Sequence, residues 1–411
     1  MPTRSSPLAA ASITVTVLAS SSAPTPLYGT YAQHWGFSAT TTTVVFGVYA
    51  LAVLASLLVL GRLSDHLGRR PVLAGALAVQ IVAMLVLATA PGVPGLIAGR
   101  VLQGLSTGAA VGAAGGLALD VDPRRGAVVN SVAPPVGTAA GALLAAAVVG
   151  FLPWPTHLVY LVLLAVYVVQ LVAVLRSPET VPLRPDRLQE ARASLVPRVA
   201  VPAELRGAFA AGAPIVFAVW ALAGFYGSLA PAVVRAAFGW GSPVAGSATL
   251  FLQTAVAAVC VLLLRTTAAR TCVLVAAAAL TVGMALTVTA LSAGPPGLAR
   301  ALFFTGTAVA GVGFGAGFQG GIRTVVPRAR PGQRAGVLSS LYVAAYLGLG
   351  LPAVLAGALS VHDGLLPTTR EYAVAVVVLA LLAATATVLP GRRETPSPCT
   401  PGTPETPGGT P

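Results

Sequence analysis

Long apolar runs separated by short polar ones recur along the whole chain. They fall near 8–30, 41–60, 71–90, 94–118, 127–149 and 155–175, then near 207–232, 243–264, 271–291, 297–320, 335–358 and 370–390. As a helix, each is long enough to cross about 30 Å of hydrocarbon. The pattern predicts an all-α membrane protein with twelve transmembrane helices, six on either side of a polar interval. The expected organisation is an N-terminal six-helix bundle over 1–175, a cytoplasmic central loop over 176–206, a C-terminal six-helix bundle over 207–390 and a tail over 391–411. That tail is rich in Pro, Thr and Gly and is expected to be disordered and cytoplasmic.

The two sets of runs are related. Gly126-Ala-Val-Val-Asn-Ser131 and Ala335-Gly-Val-Leu-Ser-Ser340 each follow an arginine, Arg125 and Arg334. Gly99-Arg100 opens the fourth run as Ala299-Arg300 opens the tenth, and Gly36-Phe-Ser38 finds Trp240-Gly-Ser242 before the eighth. These correspondences point to a duplicated six-span unit and so to two pseudo-symmetric bundles. Paired membrane halves with a site between them are a transporter architecture.

Composition sharpens the picture. Of 411 residues, 56% are hydrophobic and 9% charged, where a soluble domain has about a quarter charged. The net charge of +13 comes from arginine with no lysine, spread over short loops. Its partner is therefore the anionic surface of the lipid bilayer, and no nucleic acid is expected. Twenty of the 24 arginines fall in alternate loops and at the chain ends; the others are Arg100, Arg235, Arg300 and Arg370. The positive-inside rule then predicts a multi-pass protein of the plasma (inner) membrane with both termini cytoplasmic. Cys260, Cys272 and Cys399 have no metal-ligand spacing, and Cys399 is expected on the cytoplasmic side. Ser12, Thr14, Thr16 and Ser20 interrupt the first run and make it a poor cleavable signal.

The densest charge cluster near the N-terminus is Gly61-Arg-Leu-Ser-Asp-His-Leu-Gly-Arg-Arg-Pro-Val72. Gly61 and Gly68 would permit backbone reversals, and Asp65 and Arg69 would pair on one helical turn. In an arbitrary membrane protein a solvated loop accounts for such charges. The ordered pattern G-x-L-(S/A)-D-x-x-G-R-(R/K)-x-(V/L/I) resembles the loop signature of the major facilitator superfamily. Gly61, Leu63, Ser64, Asp65, Gly68, Arg69, Arg70 and Val72 all match it. The resemblance implies alternating access, with Asp65 set against Arg69, Asp120 and the start of the eleventh helix near Ala335. Such contacts would close the cytoplasmic side when the cavity faces outward.

Two further stretches bear on mechanism. Gly99-Arg-Val-Leu-Gln-Gly-Leu-Ser-Thr-Gly-Ala109 resembles the superfamily's fourth-helix motif R-x-x-Q-G-x-x-x-(A/G) through Arg100, Gln103 and Gly104. The resemblance places that arginine at the central cavity and links it to proton movement. A charge within a span costs about 2.5–3.5 kcal/mol, so Arg100 either snorkels to the surface or serves the cavity. Asn130-Ser-Val-Ala-Pro-Pro-Val-Gly-Thr-Ala-Ala-Gly141 resembles G-P-x-x-G-G, which marks the twelve-helix drug/proton antiporter (multidrug efflux) branch. Pro134 and Gly137 remain, while Ala133 and Thr138 replace glycines. Residues of this kind kink a helix and let its neighbour approach.

The first span carries Ser12, Thr16 and Ser20 on one face, then breaks over Ser21–Tyr28. Hydroxyl stripes in membranes more often join helices than line pores. Candidate cavity residues are Ser20, Tyr28, Trp220, Tyr226 and Phe304. Pro178-Glu-Thr180 resembles a tripeptide common after the sixth helix, and 186–195 has the make-up of a short amphipathic surface helix.

Catalytic signatures are missing. There is no HExxH, no GxxxxGK(S/T) and no recognisable Ser/His/Asp set, and His34, His66, His157 and His362 are read as loop residues. No enzyme activity, metal site or cofactor is expected. All eleven acidic residues fall in loops, at span ends or in the tail, so the proton-carrying carboxylate of many relatives has no counterpart. Arg100 keeps its own proton and is a fixed charge that would repel a cation or bind an anionic substrate, so either coupling runs through Asp65 and Asp120 or the substrate itself carries the charge. The expected function is monomeric secondary transport that exports small lipophilic compounds against protons. Uptake or facilitated diffusion of a small metabolite is the alternative, with a non-transporting membrane enzyme or sensor behind both.

Overall fold

The computed structural model describes residues 7–182, 185–240, 242–330 and 332–388. The expectations for Arg4, Cys399 and the tail 391–411 lie outside the described residues. Within them the chain is helical, with no strand among the described residues. The N-terminal half comprises α1 (Pro7–Ser22), α2 (Tyr28–Trp35), α3 (Ala39–Leu60), α4 (Leu63–Leu67), α5 (Arg69–Ala88), α6 (Val93–Val121), α7 (Pro123–Phe151) and α8 (Pro155–Arg176). A short helix, α9 (Arg187–Ser194), lies in the polar interval. The C-terminal half comprises α10 (Arg206–Ser228), α11 (Ala230–Phe238), α12 (Pro243–Leu263), α13 (Ala269–Ala290), α14 (Pro296–Val325), α15 (Arg334–His362) and α16 (Leu365–Val388). Twelve segments among the described residues are long and apolar enough to cross a membrane, α1 and α2 together forming the first.

Local chemistry sets the helix ends. Asp122 caps α7, its Oδ1 accepting from the backbone N–H groups of Arg124 and Arg125 at 3.0 Å each, with Pro123 at the first helical position, where a missing N–H costs nothing. Several helices outrun their apolar cores: α14 stays helical to Val325, five residues past the limit of its apolar run near 320. The histidines read as loop residues accordingly sit in helix ends, His34 in α2, His66 in α4, His157 in α8 and His362 closing α15. Hydropathy marks the hydrocarbon boundary, and helices continue beyond it into the polar interface.

The duplication is visible in the fold. The first span of each half is broken, at Ala23–Pro24 before α2 and at Leu229 before α11. Each short second piece ends on a left-handed glycine, Gly36 at φ 65° and Gly239 at φ 61°, a conformation that a Cβ disfavours. Packing is inside-out relative to a soluble protein. Small residues fill the helix seams, while Leu144, Val169 and Leu263 stand exposed around the outside where lipid would cover them. A Cβ on Gly104 of α6 would lie 2.6 Å from the Ala52 Cβ and 2.7 Å from the Tyr49 carbonyl of α3. That seam admits only glycine.

The halves meet through α3 against α15 and α7 against α12. Thr40 Oγ1 donates to the Gly357 carbonyl at 2.9 Å, and Thr25 Oγ1 donates to the Gly227 carbonyl at 3.1 Å. Both bonds lie at the end of the bundle away from the arginine-rich loops. The polar interval divides its attachments. Glu179 and α9 bind the N-terminal half, whereas Ala200 donates to the Gly336 carbonyl and Gln333 to Glu204 on the C-terminal half. A short helix does form in the stretch 186–195, but it is not the amphipathic surface helix expected. Its one large apolar side chain, Leu188, is exposed, and it seats on α4 with His66 Nδ1 3.3 Å from Glu190 Oε2.

Candidate functional site

The residues singled out from the sequence separate into two clusters, one at the arginine-rich end and one in the membrane interior. At the first, Arg69 is the hub. Its Nε donates to Asp120 Oδ2 at 2.9 Å, and Nη1 donates to Ser64 Oγ at 2.7 Å and to the Asp65 carboxylate. Asp65 of α4 does pair with Arg69, but across the break at Gly68 to the first residue of α5 rather than on one continuous helical turn. The reversal before α5 belongs to Gly68, at φ 104° and ψ 152°; Gly61 has an ordinary helical φ of −57° and makes no reversal. Arg70 donates to the Leu175 carbonyl.

Glu179 completes this cluster from the polar interval. Its carboxylate accepts from the backbone N–H groups of Arg69 at 2.8 Å and Arg70 at 3.0 Å, capping the start of α5. The Pro178-Glu-Thr180 resemblance was the only signal, because a cap supplied from more than 100 residues away leaves no local pattern. Ala335, expected near Asp65, is exposed in this conformation. Its neighbour Gly336 meets Ala200 of the interval rather than α4.

The second cluster is built on Arg100, which is 1% exposed and therefore does not snorkel. Nη1 donates to the Ser21 carbonyl at 3.0 Å and to Gln103 Oε1, while Gln103 Nε2 donates to the Ser20 carbonyl at 2.9 Å. The break after α1 aims those two carbonyls at α6. The guanidinium lies over the Tyr49 ring, 4.1 Å from its centroid, an attractive cation–π contact. Tyr28 lies beside both. Arg100 Nε and Nη2 and the Tyr28 hydroxyl are buried without a hydrogen-bond partner.

Near Tyr49, on the C-terminal half, is an aromatic cluster from α10, α14 and α15. Trp220 lies 4.8 Å from Tyr346, 5.8 Å from Phe318 and 6.3 Å from Phe314, centroid to centroid. All four rings are only partly buried. Trp220 and Tyr346 pack against the small core of Phe46, Ala50, Leu349 and Ala353 that joins α3 to α15.

Other candidates face elsewhere. The Ser20 hydroxyl accepts from Gln80 Nε2 at 2.8 Å, and Ser12 and Thr16 accept from Gln170 Nε2 at 3.0 Å each. The hydroxyl stripe thus ties α1 to α5 and α8. Tyr226 points into the C-terminal half between Thr287 and Thr307. Phe304 packs on Phe303 and Trp240, where the Arg300 guanidinium also stacks. Pro134 and Gly137 lie on α7, where a Cβ on Gly137 would come 2.5 Å from the Val15 carbonyl. That approach sets the position of α1 and hence of the carbonyls that hold Arg100 and Gln103.

Comparison with known proteins agrees with this architecture. No curated protein matches the chain. The crystal structure of an alanine variant of the nucleoside transporter NupG resembles it with a TM-score of 0.68 over 92% of this chain and 99% of the other. Identity is 13%, so the likeness is one of fold. Residues 10–307 match the family model described as Major Facilitator Superfamily. Twelve spans in two related halves and a sequence match over most of its length make the chain a member of the Major Facilitator Superfamily.

Proposed function

We propose that this chain, acting as a monomer, exports small and largely apolar compounds by alternating access, energised by the proton-motive force. One observation carries the reading. A buried cation lies over Tyr49 in the N-terminal half, and in the C-terminal half a half-buried aromatic cluster, with Tyr346 near Tyr49, packs on the core that joins α3 to α15. The side-chain bonds joining the halves among the described residues lie on one side of that site, so the other side is where substrate enters in this conformation. By the positive-inside rule the entry side is cytoplasmic. Rocking the halves would break Thr40–Gly357 and Thr25–Gly227 and bring the Asp65–Arg69–Asp120 cluster against α15 near Ala335.

The nine described acids lie at or near helix ends or in loops, so no carboxylate deep in a described span takes up the proton. A charged substrate couples to the electrical part of the gradient directly, at about 2.3 kcal/mol per charge per 100 mV. Pro134 and Gly137 on α7 support the efflux branch. The test is accumulation of lipophilic dyes and antibiotics in cells expressing the protein. Expression should lower accumulation, an uncoupler should restore it, and Arg100→Ala should abolish the effect. Uptake of a small metabolite is the second reading, favoured by the fold shared with a nucleoside transporter. Raised accumulation, insensitive to uncoupler, would select it.

A further inference from the structure

The three nitrogens of Arg100 are used unequally. Nη1 is held by the Ser21 carbonyl and Gln103, while Nε and Nη2 are buried without partners. In a guanidinium these two nitrogens share one edge, and their N–H bonds run parallel at the spacing of the two oxygens of a carboxylate. The protein has thus fixed one corner of the fork and left the bidentate edge unpaired, in a site where an unpaired donor is costly. Tyr28, in the same buried neighbourhood, also has an unpartnered hydroxyl. A carboxylate has about four acceptor positions, enough for both nitrogens of the edge.

The sign of the charge is fixed as well. No described acid lies deep in a span to neutralise Arg100, so a cation entering the gap is repelled in a medium that screens poorly. The Tyr49 ring carries the Arg100 guanidinium on its face, and Tyr346 of the C-terminal half lies near Tyr49. A planar apolar body extending from Arg100 past Tyr49 meets Tyr346 and Trp220, then Phe314 and Phe318. Four rings from three helices offer edge and face contacts to a fifth.

We infer that the substrate is an aromatic monocarboxylate, its carboxylate seated on the Nε–Nη2 edge of Arg100 and its ring among Trp220, Tyr346, Phe314 and Phe318. The inference rests on the gap between the halves being the transport site. Export then carries a negative charge outward, down the membrane potential, and needs no proton-carrying carboxylate.

The experiment is equilibrium binding to the purified full-length protein, read by tryptophan fluorescence and calorimetry, with benzoate, benzamide, benzylammonium, hexanoate and chloride. Benzoate should bind about tenfold or more tightly than benzamide and benzylammonium, a difference expected of one lost bidentate charged contact. It should also bind more tightly than hexanoate. Arg100→Gln should erase the preference for benzoate over benzamide, and Arg100→Lys should keep part of it, because the charge stays while the fork is lost. Trp220→Leu should erase the preference for benzoate over hexanoate and leave the carboxylate preference in place. Equal binding of benzoate and benzamide by the wild-type protein, tighter benzylammonium, or chloride matching benzoate would each overturn the inference, whatever the variants do. Counterflow in vesicles separates the two levels. Benzamide moving as fast as benzoate keeps the transporter and removes the anion; benzoate binding in the stated order with neither compound moved keeps the anion site and removes the transport reading.

Discussion

At Gly68 two physical demands coincide. Its backbone, at φ 104° and ψ 152°, lies in a region that side chains hardly enter, and a Cβ there would run into the Glu179 carboxylate. A non-glycine residue in that region costs about 1–3 kcal/mol. Gly68→Ala should therefore lower the melting temperature in detergent and slow transport, and Glu179→Ala, which uncaps α5, should do the same to a smaller extent. Wild-type melting and transport in the Gly68→Ala variant would mean that the loop relaxes freely. Legibility at this scale followed locality. Arg100 and Gln103 lie within one turn of a single helix, so their spacing was readable. Tyr49 was not: it sits in the apolar run of α3 with nothing nearby in sequence to say that a guanidinium covers its ring. Tyr346 and Phe318 were hidden for the same reason, since the rings meet only once α10, α14 and α15 are assembled.

At the scale of elements, the arginine-rich end joins α4, α5, α6 and the start of the interval through Arg69 and Glu179. Asp65 is about half exposed, so as an isolated surface pair it would contribute little to stability. Its place in a network shared with Asp120 and Ser64 makes orientation its main contribution: with Asp65 present, the Arg69 fork is held between two carboxylates. Asp65→Asn should therefore leave the amount of protein in the membrane unchanged and reduce the transport rate by about tenfold or more, equivalent to about 1.4 kcal/mol of gate closure. A melting temperature that falls in step with the rate would assign Asp65 to folding instead. Most elements were readable, because a span must present apolar residues for its whole length and the break after α1 announces itself in Pro24 and Pro26. What hydropathy could not give was the face each helix presents. The Ser12–Thr16–Ser20 stripe favours a seam over a pore without naming its partners, and Gln80 and Gln170 arriving from α5 and α8 supply them.

For the whole molecule, the question is what holds the halves together at the end away from the arginines and how easily it lets go. The seam there is made of small residues. Gly47 faces Gly350 and Val354, the Phe46 ring lies 2.7 Å from where a Cβ on Gly227 would sit, and any Cβ on Gly357 would overlap the Thr43 hydroxyl. Two neutral hydrogen bonds, Thr40 to Gly357 and Thr25 to Gly227, each contribute about 0.5–1.5 kcal/mol. Close packing, with no ion pair between the halves there among the described residues, makes a seal that is tight when shut and inexpensive to open, and it contrasts with the charged cluster at the other end. Two outcomes follow from that geometry. In a background lacking the native cysteines, Ala50→Cys with Gly350→Cys, whose Cβ positions lie 3.4 Å apart across the α3–α15 seam, should cross-link in the membrane, block transport while oxidised and release it on reduction. Gly357→Val should do the opposite, wedging α15 from α3 so that a cysteine placed at Ala50 becomes reactive to an impermeant reagent added from that side. Failure of the pair to cross-link, or transport continuing through the cross-linked protein, would show that the halves do not separate along α3 and α15, and the alternating motion would have to be sought at the α7–α12 contact instead.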